Sequence, residues 1–327
     1  MLPWCESYRP LHLVDVGGND DVRRALLSFK TIASLPHLIL HGPPGSGKTS
    51  SLLALGRAFF GKNNVATMVL ELNAGDVRGV ETMRNQIQFF TKCSPVTESV
   101  EGGTGIKLVI LDEADGLTHH AQCALRHLIE TSGGRVRFCL TCNYINKLSS
   151  GLRSRCTSFR FSGLGKDQLY RTVQTVATKE GIRLSCRDTD AIVSVSYGDA
   201  RQAINLLQGH ALGRRDQSSE GEDDAHPVYE LCGLPSPSQV ASLFDSLLNE
   251  RFSVAHELLA DLVHKKQYSL AQVLAPLVDK IMATAENSDR VGGMVTALAD
   301  VELCLTQGGS ESLAVGAVVG AFHINAK

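Results

Sequence analysis

Apolar and polar residues alternate in blocks along the first 160 positions. His37 to His41 (HLILH) is a short apolar run, followed by Gly-Pro-Pro-Gly and a helical stretch from Lys48 to Phe60. A second strand is predicted near Thr67 to Leu72, with a helix from about Val80 to Phe90. Lys107 to Leu111 (KLVIL) predicts a third strand, followed by a helix around His119 to Glu130. Arg137 to Thr141 predicts a fourth strand, and a fifth falls near Thr157 to Phe161. Strands that are continuously apolar and alternate with helices imply an α/β domain. Its sheet should be parallel and covered on both faces.

Beyond Gly163 the strand pattern stops. Lys166 to Glu180, Asp188 to Tyr197 and Asp199 to Leu212 read as three short helices. Asp216 to Ala225 (DQSSEGEDDA) has no apolar residue before Ala225 and reads as a solvated loop or linker. The last ninety residues look all-helical. Leu270, Val273, Leu274, Leu277, Val278, Ile281 and Met282 follow the i, i+3, i+4, i+7 pattern, as do Val254, Ala255, Leu258, Leu259, Leu262 and Val263. These faces suit a private helical core or packing against other subunits, and periodicity does not separate the two. No period of 20–50 residues repeats, so the chain is not a solenoid.

Composition narrows the function classes. A chain of 327 residues allows about two or three domains. Net charge is −2, which argues against a wholesale basic coat for nucleic acid. Aromatics are 6% and Trp4 is the single tryptophan, too few for a single-strand stacking platform. The charge is uneven. Residues 1–162 hold 18 Lys and Arg against 13 Asp and Glu, a net of +5, whereas 163–327 carry a net of −7. That asymmetry hints that the first half faces something anionic.

Met1 to Pro10 lacks the apolar core of a secretory signal. The apolar stretch Leu313 to Phe322 is too short to span a bilayer, so no membrane role is expected. Nine scattered cysteines suggest a reducing compartment. Cys139 and Cys142 form a CxxC inside a predicted strand, with no second ligand pair at metal spacing. They read as structural thiols rather than a zinc or redox site.

The chemistry concentrates at Gly42-Pro43-Pro44-Gly45-Ser46-Gly47-Lys48-Thr49, which satisfies GxxxxGK[ST] between a strand and a helix. Glycines let the backbone curl so that N–H groups point at phosphate oxygens. The helix N-terminus adds partial positive charge. Lys48 is expected to reach the β- and γ-phosphates of ATP. The Thr49 hydroxyl is expected to ligate Mg²⁺, and Ser50 joins the nucleotide-binding set.

Asp112 and Glu113 end the third strand, where α/β sheets bind ligands. Asp112 should hold Mg²⁺ directly or through water, and Glu113 is placed to polarise the attacking water. The two motifs together argue for ATP hydrolysis, not binding alone. Asp112-Glu113-Ala114-Asp115 also spells a helicase signature. Those enzymes need a second nucleotide-binding-like domain, however, and the rest of this chain is helical.

Several further segments join these. They are Glu6-Ser7-Tyr8-Arg9-Pro10, Glu71-Leu72-Asn73-Ala74-Gly75-Asp76-Val77-Arg78-Gly79, Asn143, Ser154-Arg155-Cys156 and Gly198-Asp199-Ala200-Arg201. With the P-loop and Asp112 to Asp115 they resemble the AAA+ ATPases, and within these the clamp-loader small subunits of replication factor C. The wording of Arg137 to Tyr144 (RFCLTCNY) is closest to one small-subunit group. The resemblance implies three domains: an AAA+ nucleotide-binding domain over 1–162, a helical lid over 163–226 and a helical oligomerisation collar over 227–327.

It also implies roles. Asn143 resembles sensor 1, an amide that orients the attacking water or reads the γ-phosphate. Arg201 resembles sensor 2 at the start of a lid helix. Arg155 resembles an arginine finger that acts in trans on the neighbouring subunit's site. Arg9, Pro10 and Val16 resemble the strip lining the adenine pocket. Arg78, Arg84 and Lys107 are the expected contacts to the backbone of primer–template duplex, without regard to sequence. Gly75 stands where the family has serine, so no side-chain phosphate contact is expected there. Phe89, Phe90 and Pro95 are candidate contacts to the sliding clamp.

The implied protein is a nuclear ATPase subunit of a five-membered loader, with the other replication factor C subunits, the sliding clamp and DNA as partners. The competing readings are another AAA+ machine, such as a branch-migration helicase or origin-binding ATPase, and a nucleotide-gated structural subunit that does not hydrolyse. No late strands of a winged-helix kind are predicted after residue 230, which counts against the first.

Overall fold

The five expected strands form one sheet in the order β2-β3-β4-β1-β5, with every neighbouring pair parallel. They are β1 Leu38–His41, β2 Val69–Asn73, β3 Lys107–Asp112, β4 Val136–Cys142 and β5 Thr157–Arg160. The structure is a computed structural model that describes residues 3–75, 80–92, 105–132, 134–214, 227–284 and 289–325. The expectations placed on Arg78, on Pro95 and on the acidic stretch 216–225 lie outside these residues.

Continuous apolar runs are needed because both faces of the sheet are covered. Successive strand residues point to opposite sides. Leu38, Leu40, Leu108, Ile110 and Cys139 enter one core, with Leu52 and Leu55 of the helix after β1. Ile39, Val109, Leu111, Phe138 and Leu140 enter the other, with Leu125 and Leu128 of helix His119–Thr131. Fully burying such side chains stabilises by roughly 1.5–3 kcal/mol each.

Helix Lys48–Met68 outruns the expected end at Phe60 and leads straight into β2. Gly61 takes φ 70° within it and kinks the chain, a conformation open to a residue without Cβ.

All strands being parallel, the C-terminal ends of β1, β3 and β4 share one edge. This edge presents the loop after His41, Asp112, and Asn143 just beyond Cys142. It is the edge where open α/β sheets take ligands.

The chain divides into two compact units. One is Met1–Ser185 with Val193–Leu207, and the other is Cys186–Ile192 with Gln208–Lys327. The segment read as a lid, 163–226, is thus shared between them. Its helices are Lys166–Lys179, Cys186–Val195 and Ala200–Arg214.

In the second unit, helices Pro237–Asn249, Phe252–His264, Leu270–Thr284, Asp289–Thr306 and Glu311–Asn325 enclose their own core. The first of these starts at a capping box. Ser236 accepts from the Gln239 N–H, Gln239 accepts from the Ser236 N–H, and Pro237 occupies the first turn. Leu259, Leu270, Val273, Leu274, Leu277, Ile281 and Phe322 are buried, with Phe244 edge-on to Phe322 at 6.2 Å. Two members of the apolar periodicity point outward instead. Met282 is 62% exposed and Val254 45%. Among the described residues no strand follows Arg160, and no helix is long and apolar enough to cross a membrane.

Candidate functional site

The loop between β1 and helix Lys48–Met68 is shaped by glycines that no other residue could replace without collision. At Gly42 (φ 147°) a Cβ would lie 2.1 Å from the Phe161 carbonyl oxygen. At Gly45 (φ 62°) it would lie 1.7 Å from Asp199 Oδ1. Ser46 is fully buried, and its hydroxyl donates to the Pro43 carbonyl at 2.8 Å, stapling the turn. Gly47, also at positive φ, caps the helix at its N-terminus and packs on Val16, itself 5% exposed.

Lys48 is 8% exposed and fixes three elements at once. Its Nζ donates to the carbonyls of Gly42 (2.8 Å) and Pro43 (2.7 Å) and to Asn143 Oδ1 (3.1 Å). Burial lowers its pKa, opposed chiefly by the Asp112 carboxylate. One residue on, Thr49 Oγ1 donates to Asp112 Oδ2 at 2.9 Å. Ser50 is half-buried in the same turn.

Asp112 Oδ1 accepts from the Glu113 backbone N–H at 3.0 Å and from the Thr141 hydroxyl. Glu113 follows with φ 54°, a left-handed conformation that costs a non-glycine residue about 1–3 kcal/mol and is concentrated at functional sites. Asp115 accepts from the N–H groups of Asn143 and Tyr144, both at 3.3 Å, and so anchors the turn carrying Asn143.

Lys48 with Asn143 and Thr49 with Asp112 therefore form two hydrogen-bonded pairs, brought side by side by the adjacent residues 48 and 49. The sequence by itself gives Thr141 and Asp115 no role. A threonine inside an apolar strand gives no signal there, and Asp115 stands only as the last letter of a four-residue signature.

Other expected residues are placed more loosely. The N–H groups of Arg201 and Gln202 donate to Asp199 Oδ1, which caps helix Ala200–Arg214 beside Gly45, with the Arg201 side chain exposed. Arg9 pairs with Glu6 at 2.8 Å, and Pro10 is half-buried. Arg155 lies just beyond the short helix Ser150–Arg153, with its guanidinium on Glu130.

Arg84 is exposed on helix Val80–Lys92. Phe89 is 73% exposed, whereas Phe90 packs partly into the core.

Lys107 departs from expectation. It is 4% exposed, donates to the Phe90 carbonyl at 2.6 Å and lies over the Phe90 ring. A charge at the start of a strand looks solvated in sequence. Here it caps the carbonyl end of a helix, and its removal from the surface takes it out of the set facing a phosphate backbone.

The CxxC thiols are free and buried. Burial pushes Cys142 up to about 11 and raises Cys139 as well, leaving both protonated and unreactive at neutral pH.

The cluster fits a triphosphate with a divalent ion: a glycine cradle a Cβ would fill, a buried lysine, and a hydroxyl beside a carboxylate. Residues 38–164 match the ATPase family associated with various cellular activities (AAA), and residues 235–321 match the replication factor C C-terminal domain. Over 98% of this chain and 92% of its own, replication factor C subunit 3 of Saccharomyces cerevisiae is 38% identical. The chain belongs to the replication factor C family.

Replication factor C subunit 5 of Homo sapiens is 35% identical over 99% of this chain and 92% of its own length. The probable subunit 5 of Dictyostelium discoideum is 35% identical over 99% and 91%. The small-subunit likeness of residues 137–144 agrees with these relatives. The family brings with it the class of AAA ATPases and a part in DNA replication as a clamp-loader ATPase subunit.

Among solved structures, the RuvB Holliday junction branch migration motor of Thermotoga maritima superposes with a TM-score of 0.53. It is 18% identical over 82% of this chain and 90% of its own. At that identity the likeness is one of fold.

Proposed function

We propose that this chain is one ATPase subunit of a nuclear five-membered clamp loader, acting with the other replication factor C subunits. It would help place the sliding clamp on primer–template duplex. The observation that carries the reading is the pairing of Lys48 with Asn143 and of Thr49 with Asp112, side by side at the C-terminal edge of the sheet.

Lys48, now on loop carbonyls, transfers its donors to phosphate oxygens. The N–H groups of residues 42–49 cradle the phosphates, and Arg9, Pro10 and Val16 border the adenine. Thr49 Oγ1 and the Asp112 carboxylate would hold Mg²⁺, whose charge would offset that of the phosphates. Glu113 takes the proton of the attacking water, and Asn143 orients that water. Arg201 reaches the nucleotide from the start of its helix.

Arg155 completes the site of the adjacent subunit, not its own. Guanidinium suits this because it stays charged and forks onto phosphate oxygens. Such a finger supplies about 10³–10⁵ in rate, roughly 4–7 kcal/mol of barrier. The chain alone then binds ATP and turns it over slowly.

Arg84, with Arg78, supplies charge toward the duplex. Phosphate contacts carry no base information, so loading is indifferent to sequence.

The test is reconstitution with four related ATPases, carrying Glu113→Gln in this chain. Clamp- and DNA-stimulated hydrolysis is expected to fall by this site's share. Unchanged turnover would favour a structural nucleotide site.

A further inference from the structure

The carboxylate of Asp112 is gripped from three directions. Thr49 Oγ1 holds Oδ2 at 2.9 Å, while the Glu113 N–H at 3.0 Å and the Thr141 hydroxyl hold Oδ1. The Thr49 and Glu113 donors belong to the P-loop helix and to the residue next in chain. The Thr141 donor comes from across the sheet, on β4, whose Leu140 pairs with Leu111 of β3.

Thr141 is fully buried between Leu140 and Cys142, themselves buried. A hydroxyl there has lost water and needs a partner, and among the described residues that partner is the Asp112 Oδ1 oxygen.

From this geometry we infer that Thr141 is a positioning residue for the divalent cation of the nucleotide. The inference rests on the proposed reading of Thr49 and Asp112 as the residues that hold that cation. The torsion that turns a carboxylate plane is soft. The Glu113 N–H fixes one oxygen from the chain side only, and the Thr49 hydroxyl that meets Oδ2 is itself a group proposed to hold the ion. The Thr141 hydroxyl, approaching from the neighbouring strand, sets the plane. It keeps Oδ2 facing Thr49 Oγ1, so the two oxygens that would hold the ion stay together. Removing a hydrogen-bond partner of a metal-holding group typically lowers metal affinity about 10–100-fold.

The experiment measures ATP binding by the full chain, by calorimetry, across a series of free Mg²⁺ concentrations and in EDTA. Thr141→Val keeps the shape and removes the hydroxyl. It is expected to raise the Mg²⁺ concentration needed for half of the magnesium-dependent gain in affinity by about 10–100-fold, with affinity in EDTA unchanged. Thr141→Ser restores the hydroxyl and is expected to return the wild-type requirement. A wild-type magnesium requirement in Thr141→Val would overturn the inference. So would equal impairment in Thr141→Ser, which assigns the loss to methyl packing. Wild-type binding indifferent to Mg²⁺ would overturn the magnesium reading of Thr49 and Asp112, and this inference with it.

Discussion

Arg155 Nη2 lies 2.6 Å from Glu130 Oε1, and Nη1 donates to the Gly151 carbonyl at 2.8 Å, so the guanidinium is held ready on its own chain. Both side chains are about 40% exposed (39% and 41%), and such surface pairs are worth roughly 0–1 kcal/mol. On the proposed trans role, a phosphate at the adjacent subunit's site would displace Glu130 at little cost. Arg155→Ala in the assembled complex is expected to slow hydrolysis at the adjacent subunit's site by about 10³–10⁵. Single-turnover rates in a complex whose other sites are disabled would read this, and an unchanged rate would remove Arg155 from that role.

Lys48 and Glu113 should separate binding from chemistry. Lys48→Ala deletes the cation that would meet the phosphates and removes the donor to the Asn143 amide oxygen, so ATP binding is expected to be lost. Glu113→Gln keeps the shape but cannot take a proton. ATP affinity should survive, while hydrolysis at this site drops by about 10²–10⁴, the usual contribution of a general base. Equilibrium binding beside single-turnover kinetics distinguishes the two variants.

Gly45→Ala should damage the site through geometry alone. A methyl group there collides with Asp199 Oδ1, the same oxygen that caps helix Ala200–Arg214. Left-handed strain costs about 1–2 kcal/mol, and a lost cap about 1 kcal/mol more. Thermal unfolding should shift down and ATP affinity fall together.

His37 gives the fold an acid-sensitive point. Its Nδ1 accepts from the Phe138 N–H at 3.1 Å, which needs a neutral ring, and burial followed by Arg137 lowers its pKa from 6.5. The folded state thus resists protonation more than the unfolded chain. Its stabilising contribution is full above pH 6.5 and is lost as pH falls through the lowered value, with a slope of at most about 1.4 kcal/mol per pH unit. His37→Gln retains an acceptor and does not titrate. It is expected to flatten that part of the stability profile in chemical denaturation between pH 7 and 5.

Contiguous signals were legible in the sequence, and contacts across the fold were not. Strand–GPPGSGKT–helix placed Lys48 and Thr49, and an apolar run ending in two carboxylates placed Asp112. Both depend on neighbours in chain. The strand order, with β1 between β4 and β5, depends on pairings between distant segments and left no local mark. Lys107 looked like a surface cation because its partner, the Phe90 carbonyl, is 17 residues away. Thr141 was silent for the same reason, its partner Asp112 lying 29 residues back on another strand. Met282 kept helical spacing yet faces outward, since periodicity marks a stripe without fixing its edge.

The most direct measurement is native mass spectrometry of the protein isolated from its own cells under mild conditions. An assembly of this chain with four related ATPases is expected. Isolation as a monomer, or with no related ATPase, would contradict the clamp-loader reading.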